Sequence, residues 1–284
     1  MSSHNLAQVK VDDLDIIGYS IGGEETVVAM PQLDVCFDIG KAPDQVISIN
    51  NVLLTHGHID HTAGFAYYLS HRNFCGQAPG KIYIPKNLVR PMKQIIDAWG
   101  YLDGNPIPAE IIGVEAGEEY QIKPNLYARV FPTKHSAGSV GYCIIEKRKK
   151  LKAEFANFTG PQIVELKKQK IAIDNIVELP IVTYLGDTQY VDYSKLEYIK
   201  DSRILIAECT FYTDEHQERA QAGRHMHIND FAKLMGDLNN QHIVVTHITQ
   251  RTPMDEVRKS LKSVLPADKF EKIIILMDSR KNRR

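Results

Sequence analysis

Thr55-His56-Gly57-His58-Ile59-Asp60-His61 is the stretch of this sequence that points most directly to a fold and a chemistry. It follows an apolar run at residues 51–54, which has the pattern of a strand that ends at Thr55. Imidazole and carboxylate groups are ligands that suit zinc, and this stretch carries three histidines and one aspartate. The alternative is an ordinary histidine-rich surface loop, but this spacing is rare by chance. We therefore predict a metal centre at the end of the strand.

The spacing within this stretch favours two metal ions. Gly57 permits a tight turn, so His56 and His58 can face one point while Asp60 and His61 face a neighbouring point. Four side chains cannot complete two coordination shells, so further ligands are expected at the ends of later strands. Three residues of suitable type each follow an apolar run: His135, Asp187 and His247.

Each of these three residues has an ordinary alternative when it is taken singly. Asp187 could cap a turn, and His135 or His247 could be a partly buried histidine with a hydrogen-bond partner. Together with the histidine stretch, however, they supply the ligand types that a binuclear centre requires. The combined pattern predicts a binuclear zinc hydrolase.

Length and composition limit the class of protein. The chain has 284 residues with 43% hydrophobic and 24% charged residues, which is ordinary globular usage, and no apolar run has bilayer length. We therefore expect no membrane partner. The segment Met1-Ser2-Ser3-His4-Asn5 lacks the basic and apolar regions of a signal peptide, and the four cysteines are scattered. A cytoplasmic location is expected.

The order of predicted elements indicates a layered sandwich. Strands are predicted at residues 14–19, 25–30, 34–39, 51–55, 81–84, 127–131, 140–145, 181–185, 204–207, 242–246 and 272–276. Helices are predicted at 63–71, 85–99, 228–238 with Asn229 as the cap, and 254–264. A meander followed by strand–helix alternation favours two sheets face to face with helices outside.

Residues 147–178 differ from their surroundings. The segment is charged and helix-favouring, is interrupted at Gly160-Pro161, and lies between two strongly predicted strands. We predict a protruding arm with basic stretches at residues 147–152 and 167–170. A solvated surface is the ordinary alternative for such charges.

The His-x-His-x-Asp-His element, with a later histidine, Gly186-Asp187-Thr188 and a terminal histidine, resembles the metallo-β-lactamase superfamily. The resemblance spans nearly the whole chain and implies an α/β (α+β) four-layer αβ/βα sandwich, a single domain over residues 1–284. It implies two Zn²⁺ ions per subunit, although the same donors also accept Mn²⁺ or Fe²⁺. It places the ligands in three sets: His56, His58 and His135 on one ion, Asp60, His61 and His247 on the other, and Asp187 between them.

Within that superfamily the sequence is most similar to the ribonuclease Z family, in its short form. Several stretches carry the likeness in the same order: residues 20–26, 37–40, 117–119, 141–142 and 208–211. The resemblance implies that Glu208 and His225 form a proton-relay pair. His227 is the alternative to His225, because it lies two residues away. Without the resemblance, Glu208 could be a capping or ion-paired carboxylate and His225 a surface histidine.

The resemblance implies an endoribonuclease that removes 3′ trailers from precursor tRNA, with Asp60 accepting a proton from the attacking hydroxide and His225 donating one to the leaving oxygen. It also implies a homodimer, and an arm at 147–178 that serves as a tRNA exosite. Two stretches depart from the family pattern, at residues 224–227 and 248–252, and they put the substrate in question. The competing hypotheses are a hydrolase of a small phosphodiester, thioester or lactone with the same fold, and a non-catalytic RNA-binding relative.

Overall fold

The computed structural model describes residues 6–278, so the segment 1–5 used in the signal-peptide argument lies outside the described residues. The first half of the chain forms one sheet whose strands neighbour each other in chain order. Its strands are β1 (Ala7–Val11), β2 (Leu14–Ile21), β3 (Glu25–Met30), β4 (Val35–Phe37), β5 (Asn51–Leu53), β6 (Lys81–Pro85) and β7 (Glu110–Val114). Pairs from β1 to β4 are antiparallel and those from β4 to β7 are parallel. The predicted opening meander is confirmed for β2, β3 and β4, but its predicted fourth strand, β5, pairs parallel with β4; β1 and β7 were not predicted.

The parallel pairing of β5, β6 and β7 follows from helical connections, whereas β4 is joined to β5 through a loop with the 3-10 helix Asp44–Val46. The helices of this half are α1 (Ile59–Thr62), α2 (Phe65–Phe74) and α3 (Val89–Asp103), and a 3-10 helix at Lys86–Leu88 precedes α3. A helical crossover returns the chain to the same end of the sheet and so makes the next strand parallel. The helix α3 buries Met92, Ile96 and Gly100, which are four residues apart on one face.

The second half forms another sheet, again with neighbours in chain order. Its strands are β8 (Glu119–Lys123), β9 (Leu126–Pro132), β10 (Val140–Leu151), β11 (Asp174–Tyr184), β12 (Ile204–Glu208), β13 (His242–Thr246) and β14 (Ile273–Ile275). Pairs from β8 to β11 are antiparallel and those from β11 to β14 are parallel. The strand β8 was not predicted, because its residues are only partly buried and mostly polar.

Alternating side chains bury both faces of this second sheet. On β10, Tyr142 and Ile144 belong to the core shared with the first sheet, whereas Cys143 and Ile145 pack in a second core beneath the outer helices. Those helices are α4 (Gly160–Lys168), α5 (Glu197–Lys200), α6 (Gln217–Gly223), α7 (Ile228–Asp237), α8 (Met254–Val264) and α9 (Ala267–Phe270), of which α4 belongs to the arm. Helix, sheet, sheet and helix form four layers, which confirms the predicted sandwich.

The cap of α7 corrects one prediction. The N-cap is His227, whose Nδ1 accepts a hydrogen bond from the Asn229 amide at 3.4 Å, so Asn229 is not the cap. An imidazole takes the place of the expected amide because the helix begins at Ile228, two residues before the first helical position that an Asn229 cap would give.

The segment 147–178 is a hairpin extension of β10 and β11 that carries α4 at its tip. Gly160 and Pro161 begin α4, with Thr159 and Gln162 forming a capping box, so they do not interrupt a helix as expected. Throughout this fully described segment most side chains are exposed. Two of its cations are neutralised locally: Lys147 by Glu119 and Glu178, and Arg148 by Glu146.

The strand directions explain where polar side chains collect. Since β10 is antiparallel to both β9 and β11, the strands β9, β11, β12 and β13 all end at the same edge of the second sheet. A bridge between Ile21 and Ile248 ties the first sheet to that edge. Within residues 6–278, no helix is long and apolar enough to cross a membrane.

Candidate metal centre and active site

The structure brings all seven predicted metal ligands together at this edge. His56, His58, His135 and Asp187 form one group, and Asp60, His61 and His247 form a second, each with ligand atoms within 4.8 Å of one another. The Asp187 Oδ2 atom lies between the groups, 3.2 Å from Nε2 of both His61 and His247 and 3.9 Å from Nε2 of both His56 and His135. This is the arrangement that a bridging carboxylate requires.

Hydrogen bonds fix the tautomers of the histidines in the second group. His61 Nδ1 donates to Asp38 Oδ2 at 2.8 Å, and His247 Nδ1 donates to the Thr210 hydroxyl at 3.0 Å. The Thr210 hydroxyl itself donates to Glu208, so it can only accept from His247. Both rings therefore present the Nε2 lone pair to Asp187, which is the orientation that a metal ligand needs.

Two histidines of the first group, His56 and His135, are oriented in the same way, whereas His58 Nδ1 contacts His135 Nε2 at 3.1 Å. His56 Nδ1 donates at 2.9 Å to the Thr55 hydroxyl, which is itself a donor to Asp38. His135 Nδ1 donates to the Arg224 carbonyl oxygen at 3.2 Å. Burial lowers the pKa of both rings, so they favour the neutral form that can bind a cation.

Buried nitrogens without partners show that a cation fits this site. Among the described residues, the Nε2 atoms of His56, His61 and His247 are buried and accept no hydrogen bond. A buried polar atom without a partner costs about 1–3 kcal/mol, and a divalent cation in each ligand group would satisfy these three atoms. Burial lowers the pKa of His61, but Asp187 and Asp38 outweigh burial and raise it well above its ordinary value. In this cluster a proton and a metal compete for the same lone pair.

Asp38 is a buried residue of the site that sequence reasoning missed. It has a left-handed backbone with φ of 50° and accepts hydrogen bonds from the Thr55 amide at 2.8 Å and the Tyr184 hydroxyl at 2.9 Å. Together with the bond from His61, these contacts hold the strand end and the histidine in one geometry. The sequence pattern could have identified Asp38, because this aspartate follows the apolar strand β4 as Asp187 follows β11.

The loop between β2 and β3 supports the second group from the other side. The Gly23 amide donates to Asp60 Oδ2 at 3.1 Å, and the His247 amide donates to the Ser20 hydroxyl at 2.8 Å. A Cβ on Gly22 would lie 3.0 Å from the His247 ring, so the glycine allows the loop to approach. Gly23 in the loop thus holds Asp60, and Ser20 at the end of β2 holds His247.

Glu208 and His225 lie in contact beside the cluster. His225 Nδ1 donates to the two carboxylate oxygens of Glu208 at 3.1 and 3.2 Å. Glu208 also accepts from the amides of Thr188 at 2.6 Å and Met226 at 3.2 Å, which holds the carboxylate still. Burial lowers the pKa of His225, but Glu208 outweighs burial and raises it to about 9.

His227, the alternative to His225, has a structural position. It is buried, its Nε2 contacts the Thr213 carbonyl oxygen at 3.1 Å, and its Nδ1 caps α7. Both ring nitrogens are therefore occupied away from the metal ligands.

Arg224 is a second residue that sequence reasoning missed. Its carbonyl oxygen accepts from His135 Nδ1, and its guanidinium donates back to the His135 carbonyl oxygen at 2.9 Å. The residue is exposed and has a left-handed φ of 54°, which is costly for an arginine. Nothing in the sequence signals this backbone conformation.

The chain is similar to proteins of known name. The model of the β-lactamase superfamily domain matches residues 28–248. The tRNase Z TRZ2, chloroplastic, of Arabidopsis thaliana is 29% identical over 98% of this chain and 79% of its own length. The nuclear ribonuclease Z of Triticum aestivum is 31% identical over 60% of this chain and 97% of its own length.

A solved structure supports the fold. The short form of human tRNase Z superposes with a TM-score of 0.53 at 16% identity, covering 84% of this chain and 86% of that one. The predicted resemblance is confirmed: this chain belongs to the ribonuclease Z family within the β-lactamase superfamily.

Proposed function

We propose that this protein is a metal-dependent endoribonuclease that cleaves the 3′ trailer from precursor tRNA. The observation that carries the proposal is the Glu208–His225 pair, set beside a complete set of seven potential ligands. A thioester hydrolase needs the ligand set but has no evident use for an oriented proton donor, because a thiolate leaves without a proton, whereas the ribose 3′ oxygen is a poor leaving group that needs one. The similarity to proteins named tRNase Z supports the same reaction.

The two ligand groups would hold two divalent cations, which we propose to be Zn²⁺, with Asp187 shared between them. When bound, such ions supply a hydroxide at neutral pH and a Lewis acid for the phosphate. Asp60 accepts hydrogen bonds through Oδ2 and lies 3.7 Å from His61 and 3.8 Å from His247. We assign to its carboxylate the role of accepting the proton from the attacking oxygen.

His225 is assigned the opposite proton transfer. Its Nδ1–H is held by Glu208, which leaves Nε2–H to donate to the departing ribose 3′ oxygen as the bond from phosphorus to that oxygen breaks. A raised pKa of about 9 keeps the ring protonated at neutral pH, and the side chain is 16% exposed. The products are a tRNA with a 3′-hydroxyl and a trailer with a 5′-phosphate.

The experiment compares two substrates of the zinc-loaded protein. A 3′-extended tRNA precursor tests the proposed reaction, and bis(p-nitrophenyl) phosphate tests phosphodiester chemistry alone. Cleavage at the junction of tRNA and trailer supports the proposal. Turnover of the small ester without cleavage of the precursor would instead establish a small-ester hydrolase.

The arm at 147–178 is proposed as a tRNA exosite. Lys147 and Arg148 are paired with carboxylates, and among the described residues no carboxylate forms an ion pair with the other lysines of the arm: Lys149, Lys150, Lys152, Lys167, Lys168 and Lys170. Of these, Lys167 and Lys168 lie on α4 at the exposed tip. Replacing both tip lysines by alanine should weaken tRNA binding and leave turnover of the small ester unchanged. Unchanged tRNA affinity would remove the exosite role.

A homodimer and a cytoplasmic location complete the proposal. The helices α2 and α3 expose large apolar side chains, including Tyr67 at 50%, Trp99 at 50% and Leu102 at 71%. Such a patch is typical of an interface, and a second copy of the chain is the proposed occupant. Trp99→Glu should yield a monomer in light scattering, and a wild-type monomer would contradict the assembly.

The cytoplasmic location needs its own test by cell fractionation, since one relative is named chloroplastic.

A further inference from the structure

A groove between the start of α3 and the edge strand β7 has an unusual charge distribution. It measures about 610 Å³ and is lined by Lys86, Val89, Arg90, Lys93, Gln94 and Gly113, which include three cations and no anion. Of the cations, Lys86 has an exposed ion pair with Glu115 at 3.3 Å. Among residues 6–278, no carboxylate lies within ion-pair distance of Arg90 or Lys93.

The three cations form a row on one face of the helix. They are four and three residues apart, which is the spacing that aligns side chains along a helical surface. All three cations are exposed, whereas Met92 and Ile96 face the core about a quarter of a turn away, so the row faces solvent. With a rise of about 1.5 Å per residue the row is about 10 Å long.

The row begins beside the metal centre. Leu88 lies against Gly57, where an added Cβ would be 3.1 Å from its Cδ1, and Gly57 separates two predicted ligands. Asn87 donates to the Ala137 carbonyl oxygen at 3.2 Å, in the loop that carries His135. The segment that bears the cations therefore abuts both ligand loops of the first group.

Another groove provides a comparison. It measures about 570 Å³ and contains three cations and three anions, and Arg203 pairs with Asp13 at 3.0 Å while Arg148 pairs with Glu146 at 2.7 Å. Its charges are neutralised locally, so a polyanion gains little there. In the groove at α3, by contrast, Arg90 and Lys93 are available to bind an anion.

We propose that Arg90 and Lys93, with Lys86, bind backbone phosphates of the RNA substrate next to the cleavage site. This inference rests on the proposed function and adds a contact surface distinct from the arm. Each neutralised phosphate releases condensed counterions, so the contacts have a measurable salt dependence.

The test compares two double variants of the zinc-loaded full chain. Arg90→Ala with Lys93→Ala removes two groove cations, and Lys259→Ala with Lys262→Ala removes two exposed cations of the same spacing from α8. Binding of mature tRNA, which has no trailer to cleave, is measured from about 50 to about 200 mM salt. Thermal unfolding of each variant checks the fold, and Arg90→Gln with Lys93→Gln replaces the alanine pair if its midpoint falls.

The groove variant should lower the slope of log K against log salt by about 1.4–1.8, because each phosphate contact contributes about 0.7–0.9. If both proteins bind equally at 1 M salt, its Kd at about 0.1 M is about 25- to 60-fold higher. The α8 variant should match the wild type.

An unchanged slope in the groove variant overturns the inference, and if the wild type still cleaves the precursor, the proposed function stands. A wild type that neither binds tRNA nor cleaves the precursor overturns both. Equal slope losses in the two variants indicate a general charge effect and also overturn the inference.

Discussion

Replacing Asp38 by asparagine tests how the buried hydrogen-bond network controls the metal centre. The carboxylate accepts from the Thr55 amide, the Thr55 hydroxyl, the Tyr184 hydroxyl and His61 Nδ1, at distances from 2.8 to 3.0 Å. All four partners are donors, whereas an asparagine side chain has one acceptor oxygen and a donating amide group. The substitution keeps the size of the side chain but replaces one accepting carboxylate oxygen by a donating NH₂ group.

The geometry predicts which contact fails. The Thr55 amide cannot rotate, so the asparagine oxygen stays with it and the new NH₂ group faces His61 and Tyr184. The Tyr184 hydroxyl can turn to accept, but His61 must move its proton from Nδ1 to Nε2. A protonated Nε2 cannot bind a metal ion.

The expected effects are large enough to measure. A hydrogen bond to a charged group contributes about 1.5–3 kcal/mol and a neutral one about 0.5–1.5 kcal/mol, so replacing the bond between His61 and the carboxylate by a neutral one should lower the free energy of unfolding of the metal-free protein by about 1–1.5 kcal/mol. Metal affinity should fall by about 10- to 100-fold, as is usual when a residue that orients a ligand is removed. Urea denaturation measures the first effect, and competition with a chelator measures the second.

Asp12→Asn is the matched control. Asp12 also has a positive φ, of 53°, but it is exposed and its partners His242 and Arg203 lie at the surface, at 3.3 and 4.0 Å. Screening limits such pairs to about 1 kcal/mol or less, and metal affinity should not change. If Asp38→Asn behaves like this control in both assays, the reasoning about the tautomer of His61 is refuted.

Three further predictions concern other parts of the molecule. His225→Ala should slow precursor cleavage by about 10²- to 10⁴-fold, but it should slow turnover of bis(p-nitrophenyl) phosphate much less, because the acidic leaving group of that ester needs no proton. His227→Ala should mainly lower stability. Equal losses of precursor cleavage in both variants would contradict the assignment of His225 as the proton donor. Gly141→Ala should lower the free energy of unfolding, measured in urea, by about 1–3 kcal/mol, since its Cβ would lie 2.3 Å from the Phe131 ring. Gly236→Ala, which lies in open space on α7, should raise it by about 0.5–1 kcal/mol. A change of the same sign in both variants would be inconsistent with the packing. Arg72→Met should lower the free energy of unfolding by more than about 2 kcal/mol, because the buried guanidinium donates to the carbonyl oxygens of Ile47 and Ala78, which would lose this donor, and to that of Ile49, which keeps the Tyr68 hydroxyl. A midpoint equal to that of the wild type would show that the Ile47 and Ala78 carbonyls find other donors.

The fold was predictable to the extent that its elements carry periodic apolar patterns. Strands such as β3 and β13 are strongly apolar, and α8 begins and ends where Pro253 and the apolar spacing place it. The edge strands β1, β7 and β8 are polar or half-exposed, so their sequences do not distinguish them from loops. The arm was predicted as a charged segment, but its hairpin base depends on pairing between β10 and β11 that only the assembled sheet provides.

For the candidate site, the sequence by itself determined which residue types are available and where strands end. The histidine stretch, His135, Asp187 and His247 were therefore identifiable as possible ligands, and their roles remain predictions. Only the tertiary structure decided which ring nitrogens are free. The partners that hold the Nδ1 atoms come from distant parts of the chain, as with Asp38 and His61, which are 23 residues apart, and Arg224 and His135, which are 89 apart. The same holds for the choice between His225 and His227, because the direction of a side chain depends on backbone angles and packing that no local pattern records.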